Sequence, residues 1–258
     1  MTAYYNEFDP YAAQWLRNLI EAGHIADGVV DNRSIEDVTP KDLNGFTQCH
    51  FFAGIGVWSH ALRLAQWPDA RRVWTGSCPC QPFSVAGAGA GVRDERHLWP
   101  HWFWLIEQCR PEVVFGEQVE AAIRHGWLDL VQADLEGSGY AFAAAGVPAA
   151  GVGAPHIRQR LFFVANTDDA RPQGHGRLVE GDDAQGRSKP DGLRAPSSFW
   201  SDADFVLCAD GKKRPIEPGT FPLVNGAPAR VGRLRAYGNA IVPQVAQAFI
   251  EAMMECRP

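Results

Sequence analysis

The chain has 258 residues, 46% hydrophobic and 21% charged, with 24 basic and 30 acidic side chains for a formal net charge of −6. That length buries one full core and a minor second lobe. No apolar run of about eighteen residues is present to cross a bilayer, and the N-terminal MTAYYNEFDPYAAQW carries acids where a signal peptide needs a basic and then an apolar stretch. A cytoplasmic chain with no membrane partner is therefore expected, and six cysteines at this length point to reduced thiols rather than a disulfide scaffold. The acidic balance argues against a nucleic-acid partner only weakly, because distribution outweighs the total. Acids crowd the first 43 residues, whereas Arg158, Arg160, Lys212, Lys213, Arg214, Arg230, Arg233 and Arg235 all lie in the second half. Either a basic face on an acidic protein or a solvated surface of mixed sign fits this pattern.

Short apolar runs alternate with helical periodicity along the chain, the pattern of an α/β sheet with crossover helices. Pro10 to Ala22 reads as a helix with Trp15, Leu16, Leu19 and Ile20 on one side. Cys49 to Ala53 reads as a buried strand closed by Gly54 and Gly56, with a helix through Leu62 behind it. Val73 to Ser77 is a further strand candidate. A helix follows with Trp102, Leu105, Ile106 and Cys109 at i, i+3, i+4 and i+7, then a strand at Val113 to Phe115. Leu128, Val131 and Leu135 mark the next helix, and Tyr140 to Ala144 and Leu161 to Ala165 two more strands. A terminal helix carries Val245, Ala248, Phe249, Ala252 and Met253 on its apolar face.

From Asn166 to about Arg230 the periodicity stops, and Gly, Asp, Arg, Pro and Ser dominate. This stretch is either a flexible linker or a loop-rich lobe anchored by Phe199, Trp200, Phe205, Val206 and Leu207. The expected division is residues 1–165 as the catalytic and cofactor-binding domain, 166–230 as the lobe, and 231–258 as a segment returning to the first domain.

Three segments carry candidate chemistry. Gly76-Ser-Cys-Pro-Cys80-Gln81-Pro82-Phe83-Ser84 places a cysteine just after a strand, where an α/β sheet presents loop residues to ligands. A thiol there is nucleophilic if nearby positive charge or a helix N-terminus favours its thiolate; otherwise it is a buried cysteine in a rigid turn. Val113-Val-Phe-Gly-Glu117-Gln-Val119 brings a carboxyl group to the same edge of the sheet, and a glutamic acid partly removed from water holds its proton more tightly. Its plainer role is a surface salt bridge. Phe52-Ala-Gly54-Ile-Gly56 makes a glycine turn between strand and helix that lets a ligand approach the backbone.

Taken together these pieces resemble the DNA cytosine carbon-5 methyltransferase family. FAGIG at Phe52 to Gly56 is similar to the family's first motif and implies contact of Phe52, Gly54 and Gly56 with S-adenosylmethionine. PCQPFS at Pro79 to Ser84 is similar to the nucleophile motif. It implies that Cys80 attacks, with Pro79 at the cofactor and Gln81 and Ser84 at the DNA. The family's Glu-Asn-Val appears as Glu117-Gln118-Val119, and its Gln-x-Arg-x-Arg as His156-Ile-Arg158-Gln-Arg160. Gln118 puts at issue a hydrogen bond that helps hold the nucleophile loop, and His156 the support of the target base; activity is expected to survive both. Tyr237-Gly238-Asn239-Ala240-Ile241-Val242-Pro243 looks like the last motif, which returns Asn239 and Ile241 to the cofactor pocket.

One departure concerns order. Family members place two adenosine-binding strand ends after the FxGxG helix, yet only about twenty-three residues separate Gly56 from Cys80, too few for two strand-helix units. The missing pieces resemble the N-terminal segment instead. Asn6-Glu7-Phe8-Asp9-Pro10-Tyr11-Ala12 resembles the acidic motif, and Val29-Val30-Asp31-Asn32 with the following Ile35-Glu36-Asp37-Val38 resembles the aspartate motif, so the second and third strands are expected to precede the first. Glu7 would then meet the ribose, Phe8 the adenine ring and Asp31 the adenine amino group.

The resemblance implies a Rossmann-like S-adenosylmethionine-dependent methyltransferase sheet with a small DNA-recognition lobe. It also implies a phage-type or solitary enzyme acting on double-stranded DNA in a bacterial host or phage-infected cell, as a monomer. Cys80 would add to cytosine carbon 6 while Glu117 stabilises the protonated ring nitrogen 3, on a base flipped from the duplex. Arg158 and Arg160 would hold the base or its phosphate, or else form a structural ion pair. Lys212, Lys213, Arg214, Arg230 and Arg233 are assigned to DNA. A tRNA cytosine methyltransferase is the second reading, though its Cys-Phe-Thr sequence is absent, and a non-catalytic DNA-binding relative the third. No metal is expected, since Cys78-x-Cys80 is too close for a normal ligand pair.

Overall fold

The computed structural model describes residues 2–79, 98–120, 123, 126–154, 156–167, 204–207, 213–216 and 240–256. Its centre is a seven-stranded sheet in the order β2-β1-β3-β4-β5-β7-β6. The strands are β1 (Ala3–Asn6), β2 (Gly28–Asp31), β3 (Gln48–Phe51), β4 (Val73–Gly76), β5 (Val113–Val119), β6 (Ala141–Pro148) and β7 (Gln159–Asn166). Strands β1 to β5 run parallel, and β7 lies antiparallel between β5 and β6.

The order carries the rearrangement. Counted from β3, the first five positions read 3-2-1-4-5, the doubly wound order that places ligands at the carboxyl ends of the strands. In this chain the second and third members come first in sequence: β1 pairs with β3 on one side and β2 on the other, Asn6 standing opposite both Phe51 and Asp31. Glu7, Asp31 and the Phe52–Gly56 turn therefore emerge at one edge of the sheet.

Among the described residues, five α-helices cover the faces: α1 (Pro10–Glu21), α2 (Val57–Leu64), α3 (Leu98–Cys109), α4 (Trp127–Gly137) and α5 (Pro243–Glu255). Helix α1 starts where Asp9 accepts hydrogen bonds from the backbone N–H groups of Tyr11 and Ala12, with Pro10 in the first turn, satisfying orphan donors of that turn. Strand alternation splits the core between two faces. Tyr4, Phe51, Trp74, Val114 and Phe163 pack with Trp99, Trp102 and Leu105 of α3 and Val131 and Leu135 of α4. On the other face Phe115 and Phe162 meet Trp58 and Leu62 of α2 and Val245 and Ile250 of α5, while Tyr5 meets Leu16 of α1. None of the described helices is long and apolar enough to cross a membrane.

Most expected elements are present, and three are longer than their apolar runs. Strand β5 continues past Phe115 through Gly116-Glu117-Gln118-Val119 because seven residue pairs with β7 satisfy its backbone. Eight pairs do the same for β6 and β7, which outrun Tyr140–Ala144 and Leu161–Ala165. Glu117 thus lies inside a strand rather than beyond its end. Within residues 168–230, expected from the sequence to lie in a separate lobe, the described residues form two strands, β8 (Asp204–Leu207) and β9 (Lys213–Ile216), paired antiparallel.

Candidate active site

Two clusters of polar groups stand at the carboxyl edge of the parallel strands. The first surrounds Glu117. Register pairs Gly76 of β4 with Gly116 of β5, so the residues that follow, Ser77 and Glu117, are neighbours. Glu117 is buried, with 6% of its surface exposed. Arg160 on β7 approaches from the same face, its Nε 2.9 Å from Glu117 Oε1. Ser77 lies beside the carboxylate at the neighbouring strand end, and Arg158 adds positive charge nearby. Burial pushes the Glu117 carboxyl above the usual range, and Arg160, Ser77 and Arg158 pull it partly back.

Gln118 points to the opposite face and does what the family's asparagine was expected to do for the nucleophile loop. Its Nε2 donates to the Cys78 carbonyl at 2.8 Å, and its Oε1 accepts from the Val119 N–H at 2.8 Å. The chain two residues before Cys80 is thereby tied to β5. Cys80 itself, with Gln81 and Ser84, lies outside the described residues, as do Asn239, Lys212, Arg230 and Arg233. Pro79 is half-buried at the last described position before Cys80. Lys213 and Arg214 open β9, opposite Leu207 and Val206.

Arg158 and Arg160 have different partners. Arg158 has a positive φ of 33° and donates from Nη2 to the Ala240 carbonyl at 2.6 Å, tying the strand entry to the segment before α5. There Ile241 is buried against the α2–α5 face. Burial and the neighbouring Arg160 lower the Arg158 guanidinium below its ordinary value. His156 is exposed, and burial together with Arg158 lowers its pKa.

The second cluster lies at the ends of β1 to β3. Glu7 accepts from the Gly54 N–H at 2.7 Å and from the Asp9 N–H at 2.9 Å, so the displaced N-terminal strand and the glycine turn are directly bonded. Burial raises the Glu7 carboxyl, opposed by those two backbone hydrogen bonds. Gly54 has φ of 55° with open space where a Cβ would stand, and Gly56 has φ of 80° under the Leu16 and Ile25 side chains. Phe52 packs edge-on against Trp102, and Phe8 is 72% exposed.

These features fit an adenosine-containing group: an uncovered backbone turn, an exposed aromatic ring and a carboxylate with one donor on each oxygen, leaving a lone pair on each. A cavity of about 310 Å³ opens beside Asp31, lined also by Tyr4, Val29, Arg33 and Phe46. Asp31 fits less well. Its Oδ1 accepts from Arg33 N and Nε, and its Oδ2 from Tyr4 Oη, Arg33 Nε and Arg33 Nη2. Arg33 also reaches Asp42 at 3.1 Å. An adenine amino group would have to displace one of these donors, a competition that the strand-end position alone did not reveal.

Sequence reasoning assigned no role to Ser77 or Trp58. Ser77 stands inside the quoted nucleophile segment, but its partners come from other strands and helices. The Trp58 indole N–H donates to Ser77 Oγ at 3.1 Å, a contact across 19 residues that only the sheet brings together.

Residues 68–191 match the family C-5 cytosine-specific DNA methylase. The match leaves out residues 1–67, the part that holds β1, β2 and β3. Over 104 residues the chain is 36% identical to the Type II methyltransferase M.AplI of Arthrospira platensis, covering 40% of this chain and 29% of that protein. Over 190 residues it is 27% identical to the Type II methyltransferase M.BspRI of Lysinibacillus sphaericus, covering 62% and 44%. The matched stretches thus span less than half the length of these relatives. The crystal structure of S. pombe Dnmt2 methyltransferase superposes with a TM-score of 0.42 at 14% identity, over 64% of this chain and 51% of that one.

Proposed function

Because the chain belongs to the C-5 cytosine-specific DNA methylase family, we propose that it transfers a methyl group from S-adenosylmethionine to carbon 5 of cytosine in double-stranded DNA. The observation that carries the reading is the buried Glu117, flanked by Arg160 and Ser77 at the strand edge, on the strand whose Gln118 holds the loop leading to Cys80.

Carbon 5 of cytosine is a weak nucleophile, and covalent addition overcomes this. The Cys80 thiolate adds to ring carbon 6, and the carbon 5–carbon 6 pair of electrons is drawn towards nitrogen 3, where Glu117 shares a proton with the ring. Arg160 keeps the Glu117 carboxyl in place through its 2.9 Å contact, and Arg158 braces the strand entry on Ala240. When bound, S-adenosylmethionine supplies an electrophilic methyl group. Loss of the carbon 5 proton and expulsion of Cys80 restore the aromatic ring. These atoms are out of reach in a stacked duplex, so the cytosine is flipped. Glu7, Phe8 and the Gly54 turn would hold the cofactor's adenosine and methionine parts, and the 166–230 lobe, through Lys212, Lys213 and Arg214, would contact phosphate.

Incubating the purified chain with methyl-labelled S-adenosylmethionine and either duplex DNA or tRNA, followed by bisulfite sequencing, tests the assignment. Label in carbon 5 of duplex cytosine is expected. Label in tRNA alone, or in neither substrate, overturns it.

A further inference from the structure

Just past the end of β2 a guanidinium stands between two carboxylates. The backbone of Arg33 is anchored on both sides: its N–H donates to Asp31 Oδ1 at 2.9 Å, and its carbonyl accepts from Asn6 Nδ2 at 2.9 Å. Only the side chain is left to move. In one direction its Nε and Nη2 donate to Asp31, with Nη2 2.6 Å from Oδ2. In the other, Nη2 stands 3.1 Å from Asp42 Oδ1, and Nη1 donates to the Asp37 carbonyl at 3.2 Å. Asp42 is itself fixed, because its Oδ2 accepts from the Thr39 N–H and hydroxyl at 2.8 and 2.7 Å, which leaves Oδ1 to Arg33. The Arg33 side chain is 45% exposed and has room to turn, whereas Asp31 is held by the Tyr4 hydroxyl at 2.6 Å.

We propose that Arg33 is a positioning residue for the adenine of the cofactor, acting through Asp31: it covers Asp31 and transfers to Asp42 when an adenine amino group takes its place. Asp31, Arg33 and Asp42 together bound the cavity of about 310 Å³, with Val29 and Phe46 as apolar walls, a lining that suits a flat heterocycle with a donor edge. The cavity adjoins the Glu7 cluster, since the Glu7 N–H donates to the Asp31 carbonyl at 3.0 Å. A carboxylate has about four lone-pair sites, and Asp31 receives five contacts from Arg33 and Tyr4. Turning Arg33 to Asp42 removes the guanidinium donors and keeps the Tyr4 hydroxyl and the Arg33 N–H, which hold the carboxylate in place. The ion pair is exchanged rather than lost, and an exposed pair contributes little in either position. Arg33 thereby sets how much the amino group adds to affinity, and so how strictly the site takes adenosine over other purine nucleosides.

The inference rests on the reading that the chain binds S-adenosylmethionine, and its test separates the two. Titration calorimetry of the full chain uses two probes, S-adenosylhomocysteine and its analogue with hydrogen in place of the adenine amino group. Arg33→Ala uncovers Asp31, and the preference for the amino-bearing probe is expected to rise about tenfold over the wild type. Asp42→Asn keeps an oxygen for Thr39 but presents an amino group to Arg33, so the guanidinium stays on Asp31 and the preference falls about threefold. In the double variant the Asp42 substitution has no further effect. The analogue, which makes no use of Asp31, binds all four proteins alike. Equal shifts of both probes would make Arg33 a support of the fold and overturn the exchange. So would an Asp42→Asn effect that persists without Arg33. A wild type that binds neither probe fails the cofactor reading and takes the inference with it, whereas variants that keep the preference of a wild type that does bind fail the inference alone.

Discussion

Glu117 and Glu7 are two buried carboxyl groups at the same edge of one sheet, and their partners differ in kind. Glu7 is held by two backbone N–H groups, those of Asp9 and Gly54, which no substitution of a side chain removes. Glu117 is held by a side chain, Arg160 of β7, with Ser77 beside it just past the end of β4, and both are replaceable. Burial raises both, and the counterweights are fixed dipoles in one case and a guanidinium with a hydroxyl in the other. Glu7 is built to stay one kind of acceptor, whereas the proton affinity of Glu117 is set by burial and by replaceable side chains. This is the difference expected between an acid that binds and an acid that takes part in a reaction.

The largest effect that sharpens the comparison is at the base side. Glu117→Gln preserves volume but removes the exchangeable proton, and kcat is expected to fall by roughly 10²- to 10⁴-fold while cofactor affinity stays at the wild-type value. Steady-state kinetics with equilibrium binding of the cofactor checks this. A Glu117→Gln enzyme within a few-fold of wild type would remove the acid from the chemistry.

Glu7→Ala should act on the other step. A hydrogen bond to a charged group contributes about 1.5–3 kcal/mol, so cofactor affinity is expected to fall roughly ten- to a hundredfold with DNA binding retained. Titration calorimetry reads this directly. Equal loss of cofactor and DNA binding would mean that Glu7 supports the fold rather than the ligand, and no loss at all that the N-terminal strands are not the displaced half of the cofactor site.

Much of this arrangement was legible because it is local. The apolar runs at Val73 and Val113, the glycine turn and the acids at two N-terminal strand ends each announce themselves within a few residues, and the short spacing from Gly56 to Cys80 placed β1 and β2 before β3. The pairing of Arg160 with Glu117, the saturation of Asp31 by Arg33 and Tyr4, and the Trp58–Ser77 contact were not legible. Each depends on which strand lies beside which, and on side chains meeting across 19 to 43 positions or, at Asp31, on a local arginine turning back. Strand β5 outran its apolar run for the same reason, since pairing with β7 rather than hydrophobicity decides where it stops.

The smallest effect concerns stability and lies behind the cofactor edge. His50 is buried in β3, its Nδ1 2.7 Å from Thr75 Oγ1 and its Nε2 3.3 Å from Gln48 Oε1, stacked on Tyr5 at 4.8 Å. Burial lowers its pKa to about 3, opposed weakly by Asp69. The unfolded chain takes up a proton near the ordinary histidine value of about 6.5, so the folded state binds fewer protons below that pH. Its stability contribution is present above about pH 6.5 and is lost as pH falls towards 3. Thermal melts at pH 7 and pH 5 are expected to show a smaller drop for His50→Gln than for the wild type. Identical drops would show that another group sets the acid limit.

The central claim is covalent catalysis by Cys80 on cytosine, and one measurement addresses it without depending on turnover. Duplex DNA containing 5-fluorocytosine at the methylated position, incubated with the chain and S-adenosylmethionine, blocks the loss of the carbon 5 substituent and should trap a stable adduct. Peptide mapping by mass spectrometry is expected to place the crosslink on Cys80, with no adduct formed by Cys80→Ser. A crosslink on another residue, or a Cys80→Ser protein that still methylates at more than about a few per cent of the wild-type rate, would contradict the account.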